Sequence, residues 1–375
     1  MKIILAPDKF KNSLTGIEFC EIVEMGIKQI KADAEIVKLP LADGGDGTIE
    51  VVNYYLKGKV VKLKVNNPFF QSIEASYLYS ASTKTAFIEM AEASGVKLLK
   101  EDQLDCKNAT TFGTGQMILD AINKGASKII LGLGGSATND CGIGMASALG
   151  YQFLDKNNEQ VKPIGANLSK IVAINVEHVD TRLSNVEFAI ACDVTNPLYG
   201  KNGAAYVYAG QKGATQEEIE VLDTGLKDFS KVLNAVFNID VQSVKGAGAA
   251  GGMGIASKLF LKGTLESGIV LMKKLAKFDE QIQGASWVIS GEGKLDHQTL
   301  SGKTIQGVIH SAKNKDINIA VFCGTVDLEE DIIKDFGISY AASVIEQAVD
   351  LDDAMKNASQ YLKNITATFA QKFLN

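Results

Sequence analysis

The chain has 375 residues, 46% of them hydrophobic and 22% charged, so it can bury a large core over two or three domains and is not a disordered protein. Its net charge of −6 argues against nucleic acid as a partner, because no basic stripe is available to neutralise phosphates. No apolar run is long enough to span a bilayer, and the five cysteines form no Cys-x-x-Cys pair, so we expect a cytoplasmic protein with reduced thiols and no membrane partner.

Short β-branched runs alternate with longer amphipathic runs along the chain. We predict strands over residues 2–6, 35–39, 60–65, 72–78, 86–90, 128–131, 187–191, 286–290, 318–323 and 339–342. We predict helices over residues 15–31, 47–55, 112–124, 141–149, 216–236, 254–261, 265–275, 302–312, 328–336 and 351–373. This alternation is typical of α/β layers with mostly parallel sheets, in which ligands bind at the carboxyl ends of strands.

The turns after the first two predicted strands carry charged side chains. Asp8 and Lys11, with Lys9 beside them, could hold a phosphate or a substrate carboxylate. Ser13 could join them or could serve only as a helix N-cap. Asp43 stands in an Asp-Gly-Gly-Asp turn, where it could bind Mg²⁺ or simply form the turn.

The most informative segment follows the predicted strand at residues 128–131. It is a turn of glycine, serine and threonine that leads into a predicted helix, and glycines let an anion approach the backbone N–H groups there. The candidates for binding phosphate or carboxylate are Gly134, Gly135, Ser136, Thr138 and Asn139. A tight connection between strand and helix without a ligand is the alternative that this segment leaves open.

Carboxylates also follow two later strands. Asp193 comes just after the predicted strand at 187–191, where it could bind a metal or orient a hydroxyl. Glu292, Asp296 and Lys303 follow the strand at 286–290 and could form an acid, base and phosphate-binding set. We therefore expect a site built from several strand ends.

Several glycine-rich matches to nucleotide-binding motifs are weak. Residues 302–304 imitate the end of a P-loop, but His297 stands where the first glycine of that motif belongs, so we discount it. Residues 246–254 and 132–137 each contain a Gly-x-Gly-x-x-Gly/Ala match. These matches leave a nicotinamide-dependent dehydrogenase open as an alternative, and a non-catalytic small-molecule sensor is another.

Taken together, these turns resemble the type 1 glycerate kinases over nearly the whole chain. The matching motifs are Ala6-Pro-Asp8 with Phe10-Lys11 and Ser13-Leu14, Ala42-Asp-Gly-Gly45 with Gly47-Thr48, Gly132-Leu-Gly-Gly-Ser-Ala-Thr-Asn-Asp140, Ala191-Cys-Asp-Val194 with Asn196-Pro-Leu198, Gln211-Lys-Gly-Ala214, Gly246-Ala-Gly-Ala-Ala-Gly-Gly-Met-Gly254, and Gly291-Glu-Gly293 with Asp296, Gln298-Thr299 and Gly302-Lys303. Lys294 departs from the pattern, because arginine is usual at that position.

The resemblance implies ATP-dependent phosphorylation of D-glycerate with Mg²⁺. The usual product is 2-phosphoglycerate, and 3-phosphoglycerate stays open. It also implies two three-layer α/β domains. One is Rossmann-like and discontinuous, over residues 1–84 plus 286–375, and the other is inserted, over residues 85–285. The partners are then ATP and D-glycerate, and a homodimer stays open.

For the chemistry of such a reaction we expect two catalytic carboxylates, Asp193 and Asp296. Each stands beside a strand end and a glycine turn. One of them should bind Mg²⁺ or orient the substrate, and the other should accept the hydroxyl proton. Asp43 and Asp193 are the metal-binding candidates.

Overall fold

The computed structural model describes residues 1–44, 47–297, 299, 304–313 and 315–375. The strands among them are β1 (Lys2–Leu5), β2 (Glu35–Lys38), β3 (Lys59–Asn66), β4 (Ser72–Ser80), β5 (Thr85–Glu89), β6 (Lys128–Gly132), β7 (Gln152–Leu154), β8 (Ala173–Asn175), β9 (Glu187–Ala191), β10 (Thr264–Glu266), β11 (Trp287–Ser290), β12 (Lys294–Leu295), β13 (Asn318–Cys323), β14 (Thr325–Val326) and β15 (Tyr340–Ser343).

The α-helices are α1 (Gly16–Ile30), α2 (Thr48–Leu56), α3 (Ala91–Ser94), α4 (Phe112–Asn123), α5 (Ile143–Ala148), α6 (Gln216–Phe237), α7 (Ala249–Phe260), α8 (Gly268–Leu275), α9 (Phe278–Gln281), α10 (Thr304–Ala312), α11 (Glu330–Asp335), α12 (Leu351–Lys356) and α13 (Ala358–Phe373). No helix in the described ranges is long and apolar enough to cross a membrane. The mixture of helices and largely parallel strands confirms the predicted α/β class.

The chain divides into two compact units. We call Met1–Tyr55 with Gly268–Asn375 the discontinuous unit, and Leu56–Ser267 the inserted unit. These limits differ from the boundaries predicted at residues 84–86 and 284–286. The first differs because β3 and β4 form an antiparallel ladder that continues into the sheet of the inserted unit. The second differs because α8 packs closely on α10, where a Cβ at Gly307 would lie 2.6 Å from Ile269 Cγ1.

The discontinuous unit is built on a five-stranded sheet in the order β15-β13-β11-β1-β2, and every pairing is parallel. Side chains alternate between its two faces. Ala320 and Phe322 of β13 belong to a core with α1 and α13. Ile319, Val321 and Cys323 of the same strand belong to a core with α10 and α11. Because both faces are covered, this unit has the three layers that were predicted.

The inserted unit contains a six-stranded sheet in the order β10-β9-β6-β5-β4-β3. The pairings from β10 to β5 are parallel, and β4 is antiparallel to β5 and β3. Its hydrophobic core includes Ile129 and Leu131 of β6. The turns after β6 and β9 therefore leave the sheet at the same edge.

Each predicted strand overlaps an observed strand, but several predicted helices have other bounds in the structure. The helix predicted at 265–275 begins as strand β10, and the one predicted at 351–373 is interrupted at Asn357. The helix predicted at 141–149 covers only Ile143–Ala148. A left-handed backbone at Cys141 and Gly142 delays its start, since helical geometry requires negative φ.

Candidate functional site

A cavity of about 570 Å³ lies in the discontinuous unit, at the carboxyl ends of its parallel strands. Its lining includes Asp8 after β1, Asp43 after β2, Glu292 after β11, Gly324 after β13 and Val344 after β15. The chain runs outward from β1 to β2 on one side and from β11 to β13 and β15 on the other. The cavity thus spans the point where strand order reverses, which is where open α/β sheets bind ligands.

Asp8 is a buried carboxyl group of this cavity whose pKa is raised. It is only 9% exposed, its Oδ1 accepts the backbone N–H of Lys9 at 2.7 Å, and its Oδ2 accepts the Thr304 hydroxyl at 2.6 Å. Burial raises the pKa of Asp8 to about 6, the charge of Asp43 adds to the rise, and the two hydrogen bonds oppose it. A carboxylate with this pKa can exchange a proton near neutral pH.

Glu292 reaches the cavity through a turn that only glycine permits. A Cβ at Gly291 would lie 2.1 Å from the carbonyl oxygen of Phe322. The backbone after Glu292 is then held by two bonds, from the Gly324 N–H to the Glu292 carbonyl at 3.2 Å and from the Thr325 N–H to the Gly293 carbonyl at 3.1 Å. The Gly-Glu-Gly motif therefore places a buried glutamate beside the switch point.

Asp296 also lines the cavity, at the end of β12, but its carboxylate has local partners. Its Oδ1 accepts the backbone N–H of Thr299 at 3.0 Å, and its Oδ2 lies 3.6 Å from Lys294 Nζ. Lys294 Nζ is also 3.1 Å from Asp327 Oδ2. These contacts are those of an Asx turn with an exposed ion pair, so they orient Asp296 and satisfy part of its charge.

The first loop brings Lys11 and Ser13 to the same cavity. The Ser13 hydroxyl donates to the Met355 carbonyl at 2.8 Å, so its proton is already committed to α12. The helix cap is Thr15, whose hydroxyl accepts from the Glu18 N–H while the Glu18 carboxylate accepts from the Thr15 N–H. Lys11 is exposed at the cavity and supplies a cation there.

Two carboxylates of the cavity are relevant to whether it could accept Mg²⁺ together with phosphates. Among the described residues, no group of three or more His, Cys, Asp or Glu side chains has the geometry of a metal cage. Asp8 and Asp43 nevertheless bring two carboxylates close enough for the charge of one to raise the pKa of the other. Mg²⁺ bound with phosphates uses one or two carboxylates and keeps several waters. The donor set therefore fits such a complex.

The other predicted residues belong to the inserted unit or lie outside the described residues. Gly134, Gly135, Ser136, Thr138 and Asn139 follow β6, and Asp193 follows the neighbouring strand β9. The structure thus places Asp193 and this turn at one sheet edge of the inserted unit, and none of them lines the cavity described above. Lys303 lies outside the described residues.

The amides at the start of α5 are occupied by a side chain of the protein itself. Asp140, fully buried, accepts from the N–H groups of Gly142 at 3.1 Å and Gly144 at 3.2 Å. It also accepts from the N–H and the hydroxyl of Thr111, each at 2.8 Å. Burial raises the pKa of Asp140, and the four donors oppose that rise. The N–H groups of Gly142 and Gly144 are therefore occupied by Asp140, and the turn before the helix stays a candidate for binding a ligand.

Residues 246–254 also serve packing. A Cβ at Gly251 would lie 2.2 Å from the Thr138 carbonyl oxygen, and one at Gly252 would lie 2.8 Å from Cys141 Cα. Both glycines have positive φ, and the Cys141 N–H donates to the Gly251 carbonyl at 2.9 Å. Residues 246–254 therefore pack against the segment that follows β6 and stabilise it.

One residue of the turn's surroundings was not among the predicted site residues. Lys212 is 4% exposed, and its Nζ donates to Ser136 Oγ at 2.7 Å and to the Thr138 carbonyl at 2.9 Å. The sequence showed Lys212 only as part of the Gln211-Lys-Gly-Ala214 motif. The glycine of that motif is a sequence signal for close packing of this segment. The structure shows such packing, since a Cβ at Gly213 would lie 2.1 Å from the Leu104 carbonyl oxygen.

Known proteins of one family are similar to this chain over nearly its whole length. A family model described as the glycerate kinase family matches residues 3–374. The glycerate kinase of Bacillus cereus is 41% identical over 98% of both chains. The glycerate 2-kinase of Escherichia coli K12 is 39% identical over 99% of this chain and 98% of its own. A crystal structure from Salmonella typhimurium LT2, provisionally named glycerate kinase 2, has a TM-score of 0.88 at 38% identity and covers 99% of this chain and 98% of its own.

Proposed function

This chain belongs to the glycerate kinase family, and we propose that it transfers the γ-phosphoryl group of ATP to D-glycerate to form 2-phosphoglycerate. The choice of the 2-hydroxyl rests on the similarity to the glycerate 2-kinase of E. coli. The observation in the structure that carries the proposal is the cavity at the switch point of the discontinuous unit, where acidic and basic side chains converge. Phosphoryl transfer needs positioning and charge neutralisation more than covalent help from the protein.

We assign the proton-accepting role in this cavity first to Asp8. Its pKa of about 6 makes it a stronger base than an ordinary aspartate and still leaves it mostly ionised at neutral pH. Its Oδ2 is oriented by Thr304, which fixes the carboxylate plane. Asp296 stays a candidate for the same role or for orienting the substrate, and Glu292, Lys11 and Ser13 are proposed to bind ligand groups. Asp193, which does not line this cavity, stays a catalytic candidate from the sequence.

Asp43 is the residue that we propose for holding Mg²⁺, with Asp193 as the second candidate. The ion would neutralise charge on the transferred phosphoryl group. Lys11 contributes a further positive charge at the cavity. Since chemistry of this kind depends on excluding water from the transferred group, we also propose that bound ligands shield the reacting atoms.

The alternatives have less support. A nicotinamide-dependent dehydrogenase was based on two glycine-rich matches, but Gly251 and Gly252 of one match pack against residues 138–141. Backbone packing explains those glycines without a dinucleotide. A non-catalytic sensor has no feature of its own that favours it, whereas the family model covers the chain from residue 3 to residue 374.

The test is turnover with each component omitted in turn. We expect the purified protein to convert ATP to ADP only when both D-glycerate and Mg²⁺ are present, and ³¹P NMR will identify the product as 2- or 3-phosphoglycerate. No phosphoglycerate across a wide range of glycerate concentrations would contradict the proposal. The cytoplasmic location stays a prediction, and light scattering in solution will decide whether the chain forms a homodimer.

A further inference from the structure

The turn at residues 134–136 presents backbone donors to solvent. Gly134 and Gly135 are exposed, and a Cβ on Gly134 would meet nothing within 4 Å. The carbonyl of Gly135 accepts from the Val96 N–H at 2.9 Å, which fixes the acceptor side of the turn. The N–H groups of Gly134, Gly135 and Ser136 donate to no backbone carbonyl among the described residues. Successive amides in a turn with one positive φ can form a concavity that binds anions.

Lys212 lies buried behind this turn and determines which way the Ser136 hydroxyl can bond. An ammonium group has three donors and no acceptor, so Ser136 Oγ must accept the 2.7 Å bond from Lys212 Nζ. The hydroxyl proton of Ser136 is then available for an acceptor outside the turn. The bond from Nζ to the Thr138 carbonyl, at 2.9 Å, anchors the ammonium on the far side of the same loop.

We infer that Lys212 is the positioning residue of an oxyanion subsite formed by the backbone of residues 134–136 and the Ser136 hydroxyl. The ligand group is a phosphate of ATP or the carboxylate of D-glycerate, which share charge and acceptor geometry, so the inference rests on the proposed function. Lys212 acts through Ser136. Its ammonium group occupies an acceptor position of the Ser136 oxygen, so that the hydroxyl proton can be donated to the anion, and its positive charge lies on the other side of the Ser136 side chain from the anion.

A second observation in the same loop points to a ligand. Thr138 Oγ1 and both amide atoms of Asn139 are buried and have no hydrogen-bond partner in the described structure. Thr138 is 0% exposed and Asn139 is 1% exposed. Buried polar atoms without partners are rare, because each costs about 1–3 kcal/mol. Directly after the turn, these polar groups have no partner in the described structure, and this favours a ligand in the loop.

The site should depend on pH through the ammonium group. Burial lowers the pKa of Lys212 to about 8, and the titratable groups that face it, Cys106 and Asp140, oppose this effect. Both of these groups are buried, and burial raises the pKa of each of them. Once Lys212 is neutral, its amine can accept the Ser136 proton, and the hydroxyl then ceases to donate to a ligand.

The experiment is isothermal titration of the full-length protein with a non-hydrolysable ATP analogue, with D-glycerate and with inorganic phosphate, from pH 6.5 to 9.5. For wild type we expect the affinity for one of the two substrates to fall as the pH rises through about 8. Lys212→Met should weaken that ligand by about 10–100-fold at pH 7 and abolish its pH dependence. Lys212→Arg, which keeps the charge, should restore part of the affinity.

The controls separate binding from folding. Lys231→Met removes an exposed lysine of α6 that pairs with Asp228, and it should bind both substrates as wild type does. Ser136→Ala removes only the hydroxyl and should weaken the same ligand as Lys212→Met, which keeps the test informative if that variant unfolds. The ligand that is weakened identifies the source of the oxyanion.

Two outcomes would overturn the inference. One is a folded Lys212→Met variant with unchanged affinity for both substrates, and the other is the same pH dependence in wild type and Ser136→Ala. If wild type binds neither substrate, the proposed function fails. Phosphate binding that depends on Lys212 would in that case still support the subsite, and phosphate binding that does not depend on it would reject the subsite.

Discussion

Thr304 donates a 2.6 Å hydrogen bond from its hydroxyl to Oδ2 of Asp8, across 296 positions of the chain. The bond joins the first residue of α10 to the loop after β1, and both residues are buried. It is the main interaction that favours the ionised form of Asp8 against the burial that disfavours it. The ionisation of a carboxyl group near the N-terminus is therefore set by a residue in the last quarter of the chain.

Removing this hydroxyl should shift the pH dependence of catalysis. In Thr304→Val the pKa of Asp8 should rise further above its value of about 6, because burial remains and the bond is lost. We expect the acidic limb of the kcat/KM profile to move by about one pH unit toward higher pH. Thr366→Val is the control, since the Thr366 hydroxyl donates to the Leu362 carbonyl within α13 at 2.7 Å, in a helix that lines no part of the bond between Thr304 and Asp8. Equal profiles for both variants would contradict a catalytic role of Asp8.

The same carboxyl group should reduce the stability of the fold at neutral pH. Its folded pKa, about 6, lies above the ordinary aspartate pKa of 3.8, so the folded chain binds more protons between these pH values than the unfolded chain. The free energy of unfolding therefore falls as the pH rises through this window, and the loss is about 2–3 kcal/mol above it. Asp8→Asn removes this dependence.

Urea unfolding of wild type and Asp8→Asn at pH 4 and pH 7 measures the effect. When the pH is raised from 4 to 7, we expect the free energy of unfolding of Asp8→Asn to increase by about 2–3 kcal/mol relative to that of wild type. A difference that does not change with pH would mean that the pKa of Asp8 is not raised in the folded protein.

Carboxylate substitutions will separate the candidates for catalysis. Loss of a general base costs about 10²–10⁴-fold in rate, and Asp→Asn preserves shape while removing charge. We expect a loss in rate of this size for Asp8→Asn. Asp193→Asn or Asp296→Asn should lose as much only if the substituted residue contacts the substrate or the metal. Asp327→Asn breaks the other ion pair of Lys294 and should leave turnover unchanged. Near-normal turnover in all three folded variants would exclude every carboxylate proposed for the role.

A side chain at Gly135 should weaken ligand binding. Gly135 has φ +70°, and among the described residues a Cβ there would meet only Ala91 Cβ, at 3.4 Å, so the space in front of the turn is open to a ligand. Gly135→Val should raise KM for one substrate while most of the fold remains. Gly284→Val imposes similar backbone strain at φ +71° with nothing within 4 Å, so it is the matched control. Unchanged KM for both substrates in Gly135→Val would assign the turn to structure alone.

Local patterns in the sequence predicted the elements and many of the site residues. Buried strands such as β1 and β11 are short apolar runs followed by polar turns, so Asp8, Glu292 and Asp296 could be identified as strand-end residues. The family motifs led to the activity. The boundaries of the units could not be predicted from local patterns, because the sequence does not show which sheet the ladder of β3 and β4 joins. The pairing of β4 with β5 places this ladder in the inserted unit.

Only the tertiary structure decided what surrounds each charged group. Asp and Lys side chains are mostly exposed in proteins, yet Asp140 and Lys212 are both buried. Asp140 bonds to the start of α5, and Lys212 bonds to the turn before it. The pKa of Asp8 depends on Thr304 and on the packing that excludes water from their bond. Residue type sets what a group can donate or accept, so the side chains that carry the chemistry can be identified before the fold is known. Their charge states and directions depend on solvation and on partners distant in the chain, and only folding brings these together.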